Sequence, residues 1–199
     1  MIKQHTQRAN YLHFLRNVPS DYAEDIGADI ILQSSLPKWK PCELSSDVLA
    51  STQPILHAMG LATSVNFDST TSWRHGGKNF SIYSEHVGNS YIEFEYDGHK
   101  RSGVIQHIIR PQQTSTPIFV LHIFPDLDPV DENRSPYRLL PHLHATVKYN
   151  VDLSLLSIGT NQIFGHCAAL HNSPGKFGIS KATVSLGIAD MSMSYEKTI

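Results

Sequence analysis

The chain has 199 residues, 40% of them hydrophobic and 17% charged, with a formal net charge of −2. That composition is globular rather than disordered, and the charge balance excludes a global pull towards nucleic acid or an anionic membrane. No stretch approaches the roughly 20 apolar residues that a membrane helix needs.

Residues 1–60 read as a helical N-terminal extension. Tyr11, Leu12, Phe14, Leu15 and Val18 have helical spacing and stop at Pro19, and a short helix is expected over 21–33. Leu36-Pro37-Lys38-Trp39-Lys40-Pro41 reads as a rigid, turn-rich connector. Val48, Thr52, Ile55, Leu56 and Met59 form a helical stripe that closes at Gly60, a C′ glycine. Pro54 interrupts the stripe, so the helix is expected to start late, with Pro54 in its first turn.

From residue 61 to 190 the pattern is strands and turns. Strands are expected at 62–67, 78–84, 91–97, 101–110, 117–124, 142–149, 160–170 and 182–188, with a tail over 191–199. Tyr91 to Tyr96 alternates, and Asp97-Gly98 follows where a tight hairpin needs residues that tolerate positive φ. Ile118, Val120, His122 and Phe124 share one face of a strand, with Phe119, Leu121 and Ile123 on the other, the pattern of a central strand. Later in the chain, Ile163, Gly165, Cys167 and Ala169 alternate with Phe164, His166, Ala168 and Leu170. The fold class is therefore mainly β with some helix (α+β), arranged as a small, partly open β-barrel.

Candidate chemistry falls in three places. His142, His144, His166 and Cys167 are metal-capable, and His142 and His144 would share a strand face. They lack a Cys-x-x-Cys or His-x-x-x-His pairing, so the expectation is surface histidines, a small buried Cys167, no metal and no cofactor. The run Asp126, Asp128, Asp131 and Glu132 lacks the turn glycine of a calcium loop and reads as a solvated acidic turn. Lys100, Arg101 and Arg110 form a basic strip without an intervening acid, and Tyr91, Tyr96, Phe119, Tyr137 and Tyr149 could line a groove beside it. Lys100, Arg101, Arg110, Tyr91 and Tyr137 are the expected partner-binding residues. Only two cysteines, Cys42 and Cys167, occur, and the polar N-terminus carries no signal-peptide pattern. An intracellular protein, nuclear or cytoplasmic and not membrane-bound, is expected.

One succession of motifs carries a family resemblance. Tyr83-Ser84-Glu85-His86-Val87-Gly88-Asn89-Ser90-Tyr91-Ile92 leads to Arg101-Ser102-Gly103-Val104-Ile105-Gln106-His107-Ile108. The apolar strand at 118–124, Ser135-Pro136-Tyr137-Arg138-Leu139-Leu140-Pro141 and Ile163-Phe164-Gly165-His166-Cys167-Ala168-Ala169-Leu170 follow in order. This order resembles a region of fungal transposon proteins of the Kyakuja-Dileera-Zisupton type. It is more distantly similar to a bromo-adjacent homology (BAH) domain, with Gly103-Val104-Ile105 and Ile163-Phe164-Gly165-His166-Cys167 at the places of that family's core elements. The resemblance implies an SH3-like or BAH-like barrel that binds a protein or chromatin partner, with nucleic acid a further candidate, and that has no catalytic activity. The chain shows neither an aromatic cage nor a transposase acidic triad. The expected function is a non-catalytic macromolecular interaction module derived from a mobile-element protein. The rivals are a small metal-dependent hydrolase built on His142, His144 and His166, and a decayed transposon relic without activity.

Overall fold

The computed structural model describes residues 37–188, so the helices expected before Pro37 and the tail at 191–199 lie outside the described residues. Eleven strands and one long helix follow. The core hairpin is β5 (Tyr91–Tyr96) and β6 (His99–Pro111). It turns through Asp97 and Gly98 at φ 53° and 71°, as the dipeptide predicts for a two-residue turn with both central residues at positive φ. β7 (Ile118–Ile123) pairs with the other edge of β6, and β9 (Ser154–Gly159) with the far edge of β7. On the first edge, β6 is shared between β5 and β2 (Phe67–Thr70), which in turn carries β1 (Lys40–Cys42). Beyond β5 the sheet continues through β10 (Ile163–Asn172) and β11 (Thr183–Ile188) to β8 (Ala145–Tyr149).

The nine strands form one branched antiparallel sheet that does not close into a barrel. The expected partly open barrel is realised as a mainly β, antiparallel sheet that stays open, because its end strands β1, β8 and β9 do not pair with one another. A separate hairpin, β3 (Ser72–His75) with β4 (Lys78–Ser81), covers part of one face through Trp73 and Phe80. The strand expected at 62–67 does not form, β1 overlaps the expected connector, and β9 falls between two expected strands where no element was assigned.

Packing follows from a bulge in β6. Ile105 stands opposite Leu121 and His107 opposite Val120, so Gln106 is an extra residue in the ladder. Ile105 and Ile108 consequently join one cluster with Phe80, Ile92, Phe94, Phe119, Leu121 and Ile158. Ile109 turns to the opposite face with Ile118, Val120 and Phe67, under helix α1 (Ser46–Ala58). A third cluster, Tyr91, Val104, Phe124, Cys167, Val184 and Leu186, fills the β5–β10–β11 side.

Helix α1 begins at Ser46, well before Pro54, which is a correction to the late start. Val48, Thr52 and Leu56 are its buried stripe, and that burial outweighs one lost backbone donor. Its end is as expected. Gly60 has φ 69°, its N–H bonds to His57 O, and Leu61 N–H reaches back to Leu56 O, the paired bonds of a Schellman cap. Cys42, Val48 and Leu56 share a cluster with Phe67, so no boundary falls at residue 60. The compact unit begins at Pro37.

A second bulge lies in β10, where Ile163 stands opposite Phe94 and Gly165 opposite Glu93. Phe164 is the extra residue, and Ile163 shares a face with His166 rather than with Cys167 as the alternation had suggested. At Gly103 a Cβ would lie 2.8 Å from the His122 backbone oxygen, which cannot swing aside, whereas nothing lies within 4 Å at Gly187. Gly103→Ala should destabilise the protein by about 2 kcal/mol, and Gly187→Ala should change stability far less. Urea unfolding of the two variants against the parent measures the difference.

Candidate functional site

The expected basic strip does not assemble. Lys100 stands opposite Glu95 and Arg101 opposite Phe94, so the two side chains leave opposite faces of β6. Arg110 lies nine residues further along an extended strand, roughly 30 Å from Arg101. Lys100 and Arg110 have local partners of their own. Lys100 Nζ is 3.8 Å from Glu93 and 5.2 Å from the Phe164 ring. Arg110 pairs with Asp68 at 3.2 Å and lies 4.4 Å over the Trp39 ring.

The expected aromatic contacts are also redistributed. Tyr91 is only 3% exposed, stacked on Phe124, with its hydroxyl 2.6 Å from His171 Nε2. Burial, and then the neighbouring Tyr83, push its hydroxyl up to about 12. Tyr137 packs beside Leu127, Val147, Tyr149 and Ile179 in a small cluster of its own. Neither lines a groove with the basic residues.

The histidine set scatters as well. His142 sits in a 3₁₀ turn at Pro141–Leu143 and His144 in a left-handed position at φ 45°, both exposed and both ahead of β8 rather than on it. His166 stacks on Phe80 at 4.5 Å, while Cys167 faces the other way into the third cluster. Among the described residues no group of three His, Cys, Asp or Glu is placed to hold a metal. Cys167 does line a cavity of about 160 Å³ with Glu93, Ser102 and His144. Burial, with the Glu93 charge second, pushes its thiol up to about 12, which keeps it protonated and a poor nucleophile.

In the acidic turn Asp126, Asp128 and Glu132 are exposed as expected, whereas Asp131 is buried. Asp128 caps the short helix α2 (Pro129–Glu132), accepting from the N–H groups of Val130 and Asp131 at 3.0 and 2.9 Å. The Tyr149 hydroxyl approaches Asp128 Oδ2 at 2.9 Å and Asp131 Oδ2 at 2.7 Å, and Arg134 bridges Asp131 to the Gly178 carbonyl. The bonds to the Asp131 N–H and then to Tyr149 hold the Asp128 carboxyl below its ordinary range. This cluster fastens the loop to β8 and uses its acids structurally.

The structure also holds a groove that the sequence did not announce. It has a volume of about 400 Å³ and runs between α1 and β9. Pro54, Ile55, Ala58 and Met59 form one wall, Leu156 and Ser157 the other, with Tyr96 and Ile118 also contributing. Ser157 Oγ lies 3.0 Å from Ser51 Oγ and 3.1 Å from Thr52 Oγ1, which pins the helix to the strand. Among the described residues β9 pairs with β7 alone, so its outer edge borders the groove as an edge strand. The missed signal was Leu153-Ser154-Leu155-Leu156-Ser157-Ile158, a short apolar run without a flanking turn dipeptide. No known family, curated protein or solved structure matches this chain.

Two measurements probe this chemistry. Native-state labelling with a thiol reagent should modify half-buried Cys42 first and leave Cys167 untouched until unfolding. His107 and His122, on adjacent strands, are both held below the ordinary histidine range by burial, His107 also by His122. His107 keeps solvent contact, so the effect counts most at half-buried His122. The unfolded chain therefore binds more protons over this window, and stability should fall as pH drops below about 6.5. His122→Gln should flatten that fall in urea titrations between pH 7 and 5.

Proposed function

We propose that the chain is a non-catalytic interaction module that takes an extended protein segment into the groove between α1 and β9. The observation that carries this reading is the pairing of an edge strand with a parallel apolar slot. Backbone N–H and C=O groups on the edge of β9 suit an added strand, and alternate side chains of that strand would fall towards Ile55 and Ala58, with the intervening ones on the Leu156 side. A groove of about 400 Å³, mostly apolar with serine and amide groups at its margins, fits one or two aliphatic or aromatic side chains.

The lineage is part of the proposal. The motif order that resembles mobile-element proteins and the BAH domain, together with a mainly β architecture, supports an SH3-like or BAH-like ancestry with a protein or chromatin partner. Cys42 and Cys167 are free and lie in different clusters, which agrees with a reducing intracellular compartment. The protonated Cys167 thiol and the dispersed histidines favour binding over turnover.

Ala58→Glu tests the groove because Ala58 is exposed and its replacement leaves the buried stripe of α1 intact. Peptides selected from a displayed library on the parent should bind the variant at least about 10-fold more weakly, a loss of roughly 1.4 kcal/mol. N-methylation of alternate peptide amides should weaken binding to the parent in the same way. Selected peptides that ignore both changes would place recognition elsewhere and overturn the reading.

A further inference from the structure

Between Tyr137 and Ala145 the chain passes through two 3₁₀ turns, Pro136–Leu139 and Pro141–Leu143, each opened by a proline and too short to own a buried face. Every residue from Arg138 to His144 is exposed, and Leu139 is 84% exposed, Leu143 48% and Leu140 40%. Tyr137 and Ala145, at the two ends of this segment, line one cavity of about 220 Å³, so the leucines stand at its rim. The floor is the face of β8, β10 and β11 that points away from Cys167. Gly187 stands opposite both Ala145 and Ala168, and Ser185 opposite Leu170, so these residues share that face. Small side chains leave the floor low, and Leu170, 65% exposed, rises beside it. Exposed leucines gathered round an apolar hollow mark a docking surface.

The charge around it is of one sign. From Asn133 to Ile188 the only acidic residue is Asp152, against Arg134, Arg138, Lys148, Lys176 and Lys181. Arg134 and Lys148 are engaged by Asp131 and Asp126, but Arg138, next to Leu139, forms no ion pair among the described residues. We propose that this surface docks an acidic amphipathic helix of a protein partner, independently of the groove at β9. Because β11 is paired on both edges, the floor offers side chains rather than free backbone, which suits the apolar stripe of a helix and not an added strand. Acidic residues on the flank of that helix would meet Arg138. An anionic bilayer would take up the protruding leucines but leave the floor at Ala168 and Gly187 unfilled.

The test titrates the full chain against a labelled helical peptide with leucines on one face and glutamates on the other, read by fluorescence anisotropy. Beside it run a peptide with lysine for every glutamate, one with serine for every leucine, and phosphatidylcholine vesicles with and without phosphatidylserine. The Leu/Glu peptide should bind, and both altered peptides should bind at least about 10-fold more weakly. Leu139→Ser with Leu170→Ser should weaken binding by a similar factor at constant circular dichroism, since both side chains are exposed. Arg138→Glu should weaken it and reduce its salt dependence. Ala58→Glu, in the other groove, should leave it unchanged. Failure of the Leu/Glu peptide to bind, or binding that survives the two leucine substitutions, would overturn the proposal. Uptake by phosphatidylserine vesicles that exceeds peptide binding and is lost with the leucines would also overturn it, and would identify a membrane-surface site.

Discussion

A regularly alternating strand can offer its apolar side chains to two faces in fixed phase, yet β6 has to serve three separate clusters. The extra residue at Gln106 resolves this by shifting the phase midway. Val104 and Ile105 obey one phase and Ile108 and Ile109 the other, so both isoleucine-rich ends find buried partners. The pairing of β2 and β5 along a single edge of β6, and the seat of α1 over Ile109, follow from that shift. Gly103 belongs to the same constraint, because the strand passes so close to the His122 carbonyl that no side chain fits.

The open, branched sheet also leaves strand margins unpaired. A closed barrel would leave neither β9 nor β1 at a margin. Here one margin carries α1 and an apolar slot, and another, at β1, carries the paired indoles. Several titratable groups in between are committed to structure. Tyr91 is held to His171, Tyr149 to Asp128 and Asp131, and Arg110 to Asp68 and Trp39.

The parts of the fold legible in the sequence are those where a local rule acts without competition. Asp97-Gly98 between alternating runs marked the central hairpin, the two-sided apolar run at 118–124 marked β7, and Gly60 marked the helix end. The start of α1 was misread because Pro54 outweighed Val48 and Thr52 in the local pattern. In the fold, burial of that stripe dominates, and the carbonyl freed at Ala50 lies on an exposed residue that water can reach. Bulges at Gln106 and Phe164 leave no composition signal, since they are set by the facing strand. The site was the least legible part. Residues adjacent in sequence, such as Lys100 and Arg101, were grouped although alternation separates them, while Trp39 and Trp73 meet only through tertiary structure.

The order in which the strands appear along the chain has a consequence for synthesis. The β5–β6 hairpin and β7 leave the ribosome early and pair among neighbours, but the second edges of β5 and β7 are completed by β10 and β9, which emerge much later. During that interval Ile92, Phe94, Phe119 and Leu121, all fully buried in the finished fold, border open strand edges. The nascent chain is therefore most vulnerable to mispairing between translation of Ile123 and of Asn172.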